Sequence, residues 1–409
     1  IAEIFTPALV YLIAPGFLTD PLKFDLAVNL TRLTFPFLFF VSLSSFFSGI
    51  LNSKNKFAAA AAAPIILNII LILSLFVSYF FNLNFEFNLS FAVSIAGFIQ
   101  LIFLVFVTKF YYKPTINFKI NLNPRVKFFF KKLLPSIFSS GVTQINILIG
   151  TIIASFESGA VSYLYYADRV YQINLAIAGI AIGTVALPVL SNKIKSGDQF
   201  EINNIQNKSL ELSLLLSIPA AFGLLIASIE IVNALFGYGS FKEGDILLTA
   251  KALYFFGLGI PAFSLVKILS NFFFARDNTK TPFYISVITV AVNVLISLSF
   301  FNSYGFVIIP IATSISAWFA VLMYFILLIK LKYFQSSLDF LKNCLKILIS
   351  TLVMSVLLIF FLNIFEDKLI YSNNFKSIYL IMIVVVSAGA YLFIAKILGV
   401  FKIKNFKIN

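Results

Sequence analysis

Ala58–Phe81 reads AAAAAAPIILNIILILSLFVSYFF, twenty-four residues without one charge. Wound as an α-helix at about 1.5 Å per residue it is roughly 36 Å long, enough to cross a hydrocarbon layer about 30 Å thick. Comparable apolar stretches lie on both sides of it. Reading outward gives spans at 1–15, 27–51, 58–81, 90–111, 133–155, 159–190, 209–236, 247–275, 283–302, 306–329, 340–363 and 376–400. The breaks carry turn chemistry: Pro15-Gly16 before Asp20-Pro21, Asn52-Ser53-Lys54-Asn55, Ser196-Gly197-Asp198, and Asp277-Asn278 before Pro282. The spans are too long and too rich in Leu, Ile and Phe for the alternating strands of a membrane barrel. The expected fold class is an all-α polytopic membrane protein with about twelve transmembrane helices, the first one partial.

Composition agrees. Of 409 residues 60% are hydrophobic and only 11% charged, where soluble domains carry about a quarter charged. That excludes disorder, a disulfide scaffold and a large soluble catalytic domain. With no histidine and one cysteine, Cys344, there is no His-based triad, His–metal site, intramolecular disulfide or thiolate cluster. No catalytic constellation and no metal site is expected, and the protein is not read as an enzyme. The net charge of +14 could suggest nucleic acid in a soluble chain; here the cations read as membrane anchors, and no nucleic-acid partner is expected.

Their placement tests that reading. One set of alternate loops holds 22 of the 30 Lys and Arg residues, from Lys54 and Lys56, through the run between Lys109 and Lys132, to Lys402, Lys404 and Lys407. The other set holds five: Lys23, Lys242, Lys251, Lys368 and Lys376. The positive-inside rule then puts the C-terminus in the cytoplasm. The chain opens at Ile1 inside a short apolar run, which is read as a first helix cut through, with earlier helices lacking. A faint repeat joins the two halves. Phe46-Phe47 with Asn52-Ser-Lys-Asn-Lys-Phe57 resembles Phe272-Phe273 with Asn278-Thr-Lys-Thr-Pro-Phe283, each about twenty residues beyond a proline, Pro36 or Pro261. Two copies in the same orientation fit a parallel repeat about an axis along the membrane normal.

Three cations fall inside spans, where each costs on the order of 2.5–3.5 kcal/mol on insertion scales and so needs a reason. Arg169 lies ten residues past Gly159, about 15 Å deep, beside Asp168 in Ser162-Tyr-Leu-Tyr-Tyr-Ala-Asp-Arg-Val-Tyr-Gln172. Tyr165, Tyr166 and Gln172 are expected to share its face. Lys267 lies about 13 Å from the end marked by Arg276. Arg32 is nearer the other boundary, and Thr143, Gln144 and Asn146 form a polar cluster in 133–155. Packing glue or snorkelling would explain some of these. A cavity lined by positive charge suits an anionic substrate, and guanidinium suits phosphate in particular. The candidate substrate-binding set is Arg169, Asp168, Lys267, Arg32, Gln144, Tyr166 and Gln172. No G-x-x-x-x-G-K-[ST] motif is present, so membrane potential, an ion gradient or the substrate's own gradient must drive transport.

At these residues the sequence resembles the MurJ/MviN family, the lipid II flippases of bacterial cell-wall synthesis. The resemblance is carried by Leu30-Thr-Arg-Leu-Thr-Phe-Pro-Phe37, Gly49-Ile-Leu-Asn-Ser53, Ala63-Pro-Ile-Ile-Leu-Asn-Ile69, Tyr163-Leu-Tyr-Tyr-Ala-Asp-Arg-Val-Tyr-Gln172, Gly179-Ile-Ala-Ile-Gly-Thr184 with Leu187-Pro188, and Phe272 to Pro282. It implies fourteen helices, in two six-helix lobes around a cationic cavity plus two further helices that form a lipid-tail groove. On that plan 1–112 is the first lobe without its first two helices, 131–332 the second lobe and 340–400 the added pair. It implies lipid II as substrate, an inner-membrane location, membrane lipids as surroundings and a monomer, with the diphosphate held by Arg169 and Lys267 and with Asp168 partly neutralising Arg169. Some relatives bind sodium through an acidic residue that falls at Gly150, where glycine supplies no ligand. No other cofactor is implied.

Three other readings stay open, one of them a channel or a purely structural membrane protein, against which the polar stripe around Arg169 argues mildly. A related exporter of another polyprenyl-linked oligosaccharide or of a drug cation would share the fold, though a drug cation calls for buried carboxylates. A membrane glycosyltransferase would want clustered acidic metal ligands on an outer loop, and Asp20, Asp25, Glu243 and Asp245 are scattered.

Overall fold

The computed structural model describes residues 3–54, 56–112, 124, 126–128 and 144–400, and these are mostly helical with no strand among them. The cluster residue Thr143, the start of the 133–155 span and the lobe boundary at 131 lie outside the described residues. By contacts the chain divides into two compact units, 1–135 and 136–409. The pair expected at 340–400 falls in the second unit.

The first unit holds α1 (Thr6–Ile13), α2 (Pro21–Thr34), α3 (Pro36–Ser53), α4 (Phe57–Phe80) and α5 (Phe85–Lys109). The span expected at 27–51 is a helix from Pro21 broken at Phe35, where Pro36 brings no N–H to the ladder. Ser94 Oγ on α5 donates to the Leu33 carbonyl at the break, 2.5 Å away. Both α3 and α4 pack on α5. Gly97 permits the approach, since a Cβ there would lie 2.7 Å from the Phe37 ring.

The second unit runs α6 (Gln144–Ala154), α7 (Ala160–Leu175), a π-helical turn (Ala176–Ala181), α8 (Ile182–Ser196), α9 (Gln199–Ile226), α10 (Ser228–Phe236), α11 (Glu243–Phe274), α12 (Lys280–Tyr304), α13 (Ile308–Lys330), α14 (Leu338–Ile364) and α15 (Lys376–Ile397). Among the described residues nine helical stretches are long and apolar enough to span a membrane. One of them, Lys280–Lys330, is two helices turned at Gly305, whose φ of 58° suits glycine. The shorter α1 and α6 occupy the two remaining expected positions.

Helix α11 is the axis of this unit, packed against α7, α9 and α13. Its two halves anchor two apolar clusters, one around Leu269, Phe272 and Tyr324, the other around Leu253, Phe256 and Ile260. Lipid is as apolar as leucine, so association here rests on close packing and interhelical hydrogen bonds. Small side chains allow the close packing: Ser209, Ser213 and Ser217 on α9, four residues apart, and Ser350 and Thr351 on α14 are fully buried.

The span expected at 209–236 is corrected. Helix α9 starts ten residues earlier, capped by Asp198, and ends at Ile226; the remainder is the separate α10. The polar start stays helical because its amides anchor the chain between α13 and α14. Gln206 Nε2 donates to the Tyr333 carbonyl (3.0 Å), Asn207 Nδ2 to the Gln335 carbonyl (2.9 Å), and the Ser337 N–H donates to Asn207 Oδ1 (3.2 Å). Arg276, between α11 and α12, completes this junction, donating to the Phe272 and Tyr333 carbonyls at 2.7 and 2.9 Å. Burial pulls its guanidinium below its ordinary pKa.

Candidate functional site

Gly159, at φ 76°, sets the start of α7 where the sequence places it. Two contacts hold that end. Glu157 Oε2 accepts from the Phe306 N–H at 2.6 Å, and the Tyr163 hydroxyl donates to Asp245 Oδ1 at 2.9 Å. Ala160 and Ala167, both fully buried, face the core, so the opposite face carries Tyr165, Arg169 and Gln172. Arg169 then lies about 15 Å along the helix from its start.

These residues open onto a cavity of about 370 Å³ within the second unit. Its walls are Asn146, Gly150 and Thr151 of α6, Tyr165, Asp168, Arg169 and Gln172 of α7, Phe256 of α11, and Ile309 and Thr313 of α13. The Arg169 guanidinium carbon sits 4.7 Å from the Tyr165 ring centroid, and among the described residues it has no hydrogen-bonded or ion-paired partner. Asp168 is engaged: Gln172 Nε2 donates to Asp168 Oδ2. The Tyr171 ring is set against Phe256 and Phe263, 4.7 and 5.3 Å away. Asn146 Oδ1 is buried without a partner.

The structure sorts the expected residues. Arg169, Asp168 and Gln172 meet in one cavity. Tyr166 does not join them: its ring packs on Phe236 at 4.8 Å and Phe241 at 5.3 Å. Tyr165, one residue earlier, holds the cavity position. Gln144 is exposed at the start of α6 and lines nothing here, whereas Asn146 does. Arg32 belongs to the first unit, exposed in the last turn of α2.

Lys267 lines a second cavity, about 660 Å³, with Gly179, Gly183, Thr184, Ser270 and Asn271. The π-helical turn separates the two cavities along the α7–α8 rod. A Cβ at Gly179 would come within 3.1 Å of the Ser264 Cα, and Asn271 Nδ2 donates to the Gly183 carbonyl at 2.9 Å, so the rod is clasped to α11 at this level. Such turns recur at functional sites.

Sequence reading missed a polar group behind the Arg169 cavity. Asn293 Nδ2 donates to Thr313 Oγ1 at 3.0 Å, and Ser297 Oγ donates to Asn293 Oδ1 at 3.3 Å. An amide mid-span in α12 was the available signal. A sodium ion held at this level would call for an oxygen donor at position 150. Gly150 offers no side-chain oxygen, and Asp168 already accepts from Gln172 Nε2. Among the described residues no group of three or more acidic, His or Cys side chains could hold a metal. The donor set does not fit a sodium ion held through position 150.

The family described as "Lipid II flippase MurJ" matches residues 1–381. A probable lipid II flippase MurJ of Rickettsia prowazekii is 39% identical over 320 residues, covering 78% of this chain and 62% of that protein. One from Rhizobium tropici is 35% identical over 406 residues, covering 98% of this chain and 76% of its own length. The chain thus spans under two thirds of the first of these relatives. Among solved structures, a lipid II flippase MurJ in an inward closed conformation matches with a TM-score of 0.80 at 27% identity, over 97% of this chain and 79% of that one. An inward-facing multidrug-resistance MATE transporter of the MOP superfamily matches at TM-score 0.66 and 12% identity, covering 80% of this chain and 76% of that one, which shows a shared fold.

Proposed function

The chain belongs to the family of the lipid II flippase MurJ, and from that premise we propose that it carries lipid II across the bacterial inner membrane, acting as a transporter rather than a catalyst. The observation that carries the proposal is the Arg169 guanidinium, deep in a membrane-spanning helix, facing a cavity with its N–H donors uncommitted. A fixed fork of five donors suits the paired oxygens of a diphosphate. The low-dielectric surroundings strengthen that attraction relative to water.

The separation of the two cavities changes how the cations would be used. A single diphosphate held jointly by Lys267 and Arg169 fits poorly with two cavities set apart by a π-helical turn. Successive stations fit better: Lys267 meets the anion nearer the basic, cytoplasmic end, and Arg169 holds it near mid-depth. The prenyl tail has a matching surface, an apolar groove of about 400 Å³ lined by Leu215, Leu216, Leu224, Met354, Leu358, Tyr391 and Leu392. The second lobe is then 131–332 with 340–400 as the added pair, and the C-terminus is cytoplasmic. Outward movement of a diphosphate is favoured by an inside-negative potential, at about 2.3 kcal/mol per charge per 100 mV. Alternating access between two lobes, as in transporters built from repeats, completes the mechanism. A drug-cation exporter is disfavoured because Asp168, the carboxylate lining the Arg169 cavity, already accepts from Gln172 and lies beside a cation on the same wall.

Complementation tests this. The full reading frame is expressed in bacteria depleted of their own lipid II flippase. Restored growth with normal cell shape supports the proposal; a well-inserted protein that fails to restore growth moves the assignment to another lipid-linked cargo.

A further inference from the structure

We propose that Tyr165 is a positioning residue for anion recognition: its ring shelves the Arg169 guanidinium by one face, while Gln172 engages the Asp168 carboxylate, which forms no ion pair with Arg169. This rests on the reading of Arg169 as the anion-holding group.

Three observations carry it. Tyr165 and Arg169 are four apart on α7, so their side chains meet on one face, and the guanidinium carbon lies 4.7 Å from the ring centroid. A guanidinium stacked by its face keeps its in-plane N–H edge free for two oxygens. The second observation concerns Asp168, the obvious counter-ion. Adjacent residues on a helix point about 100° apart, and the carboxylate accepts from Gln172 and forms no ion pair with Arg169. Third, the shelf is backed. The Tyr165 ring stands edge-on to Tyr166, 6.2 Å away, and Tyr166 is wedged against Phe236 and Phe241. Tyr166, which lines no part of the cavity, thereby acquires a role.

Neither partner is needed for packing. Tyr165 is 56% exposed and Arg169 is exposed as well. A long cation in a spanning helix would otherwise extend toward the nearer interface to recover water. Resting on the ring keeps it in the cavity at lower ordering cost when the anion arrives.

The test uses full-length protein in proteoliposomes with lipid II as the probe, reading affinity by titration. Tyr165→Phe and Tyr165→Trp keep the ring and are expected to bind within about twofold of wild type. Tyr165→Leu is expected to weaken binding roughly 2- to 30-fold, the range for a cation–ring contact. In an Arg169→Ala background Tyr165→Leu is expected to add nothing. Gln172→Leu, which frees Asp168, is expected to weaken binding, and Asp168→Asn is expected to restore it. Unfolding midpoints of each variant guard against a folding defect.

The proposal is overturned if Tyr165→Leu binds as wild type, if Tyr165→Phe is as poor as Tyr165→Leu, or if the Tyr165→Leu loss persists at full size without Arg169. If Arg169→Ala itself binds lipid II as wild type does, the underlying reading of the site falls, and this inference with it.

Discussion

Lys376 opens α15 at 1% exposure, its ammonium donating to the Gly237 carbonyl at 2.6 Å and the Tyr371 carbonyl at 2.8 Å. The rings of Tyr238 and Tyr371 flank it at 4.3 and 4.7 Å. Around it Asn233 donates to the Leu369 carbonyl, Ser377 to the Ala234 carbonyl and Tyr371 to the Phe241 carbonyl. Together these join the α10–α11 connection to the α14–α15 connection, with Lys376 at the centre. Replacing it by methionine keeps the apolar stem and removes the charge. Each charged hydrogen bond is worth about 1.5–3 kcal/mol and each ring contact about 0.5–2. Against that stands the relief of a buried ammonium with no carboxylate beside it, several kcal/mol in the opposite direction. Two carbonyls left without their donor then decide the sign, at about 1–3 kcal/mol each. The expected net loss for Lys376→Met is about 3 kcal/mol. At roughly 2 °C per kcal/mol for a unit of this size, the unfolding midpoint drops by about 6 °C. The assay is thermal unfolding of the detergent-solubilised protein, with exposed Lys368→Met as a control expected to stay within about 0.5 kcal/mol. A Lys376→Met midpoint equal to wild type would refute the reasoning, because desolvation would then have cancelled every contact.

Arg276→Met should cost about 2–4 kcal/mol by removing two charged hydrogen bonds at the junction of α11 with the α13–α14 connection; Arg276→Lys should recover only part, since one ammonium cannot reproduce the fork. Both are read from unfolding midpoints. Gly159→Ala forces a side chain to φ 76° and brings a Cβ within 2.6 Å of the Tyr163 hydroxyl oxygen, so it should destabilise by about 1–2 kcal/mol or more and loosen the bond to Asp245. Exchanging sodium for potassium should leave lipid II transport in proteoliposomes unchanged, whereas collapsing the potential should slow it; a strict sodium requirement would show that the donor set around Gly150 was misjudged.

What the sequence made legible is what hydrophobic length and local backbone chemistry control. The spans from 58 to 111 and from 247 to 363 fall within a few residues of α4, α5 and α11 to α14, because charge and turn residues end them. The start of α7 was legible for the same reason, since Gly159 is a helix boundary in any context. Helix α9 was not legible at its start: Gln206 and Asn207 read as loop residues, and only the carbonyls at Tyr333 and Gln335 explain why they are buried in a helix. Lys376 counted as an anchoring loop charge, yet the carbonyls and rings that bury it come from segments some 140 residues earlier as well as from its own turn. At the site, Arg169, Asp168 and Gln172 stood out as polar groups in an apolar helix. The choice between Tyr165 and Tyr166 was beyond sequence spacing, since both lie within one turn of Arg169. The aromatic pair Phe236 and Phe241 decides it. Lys267 was legible as a buried cation, but its distance from Arg169 depends on how the π-helical turn packs on α11.

If Arg169 holds the anionic head of the substrate, lipid II translocation by purified protein in proteoliposomes depends on it. Wild type and Arg169→Ala are compared at equal insertion, scoring lipid II that becomes accessible on the far leaflet. Wild type is expected to translocate lipid II and Arg169→Ala to lose at least about tenfold, from a charged bidentate contact worth about 1.5–3 kcal/mol. Translocation by Arg169→Ala at the wild-type rate would contradict that role.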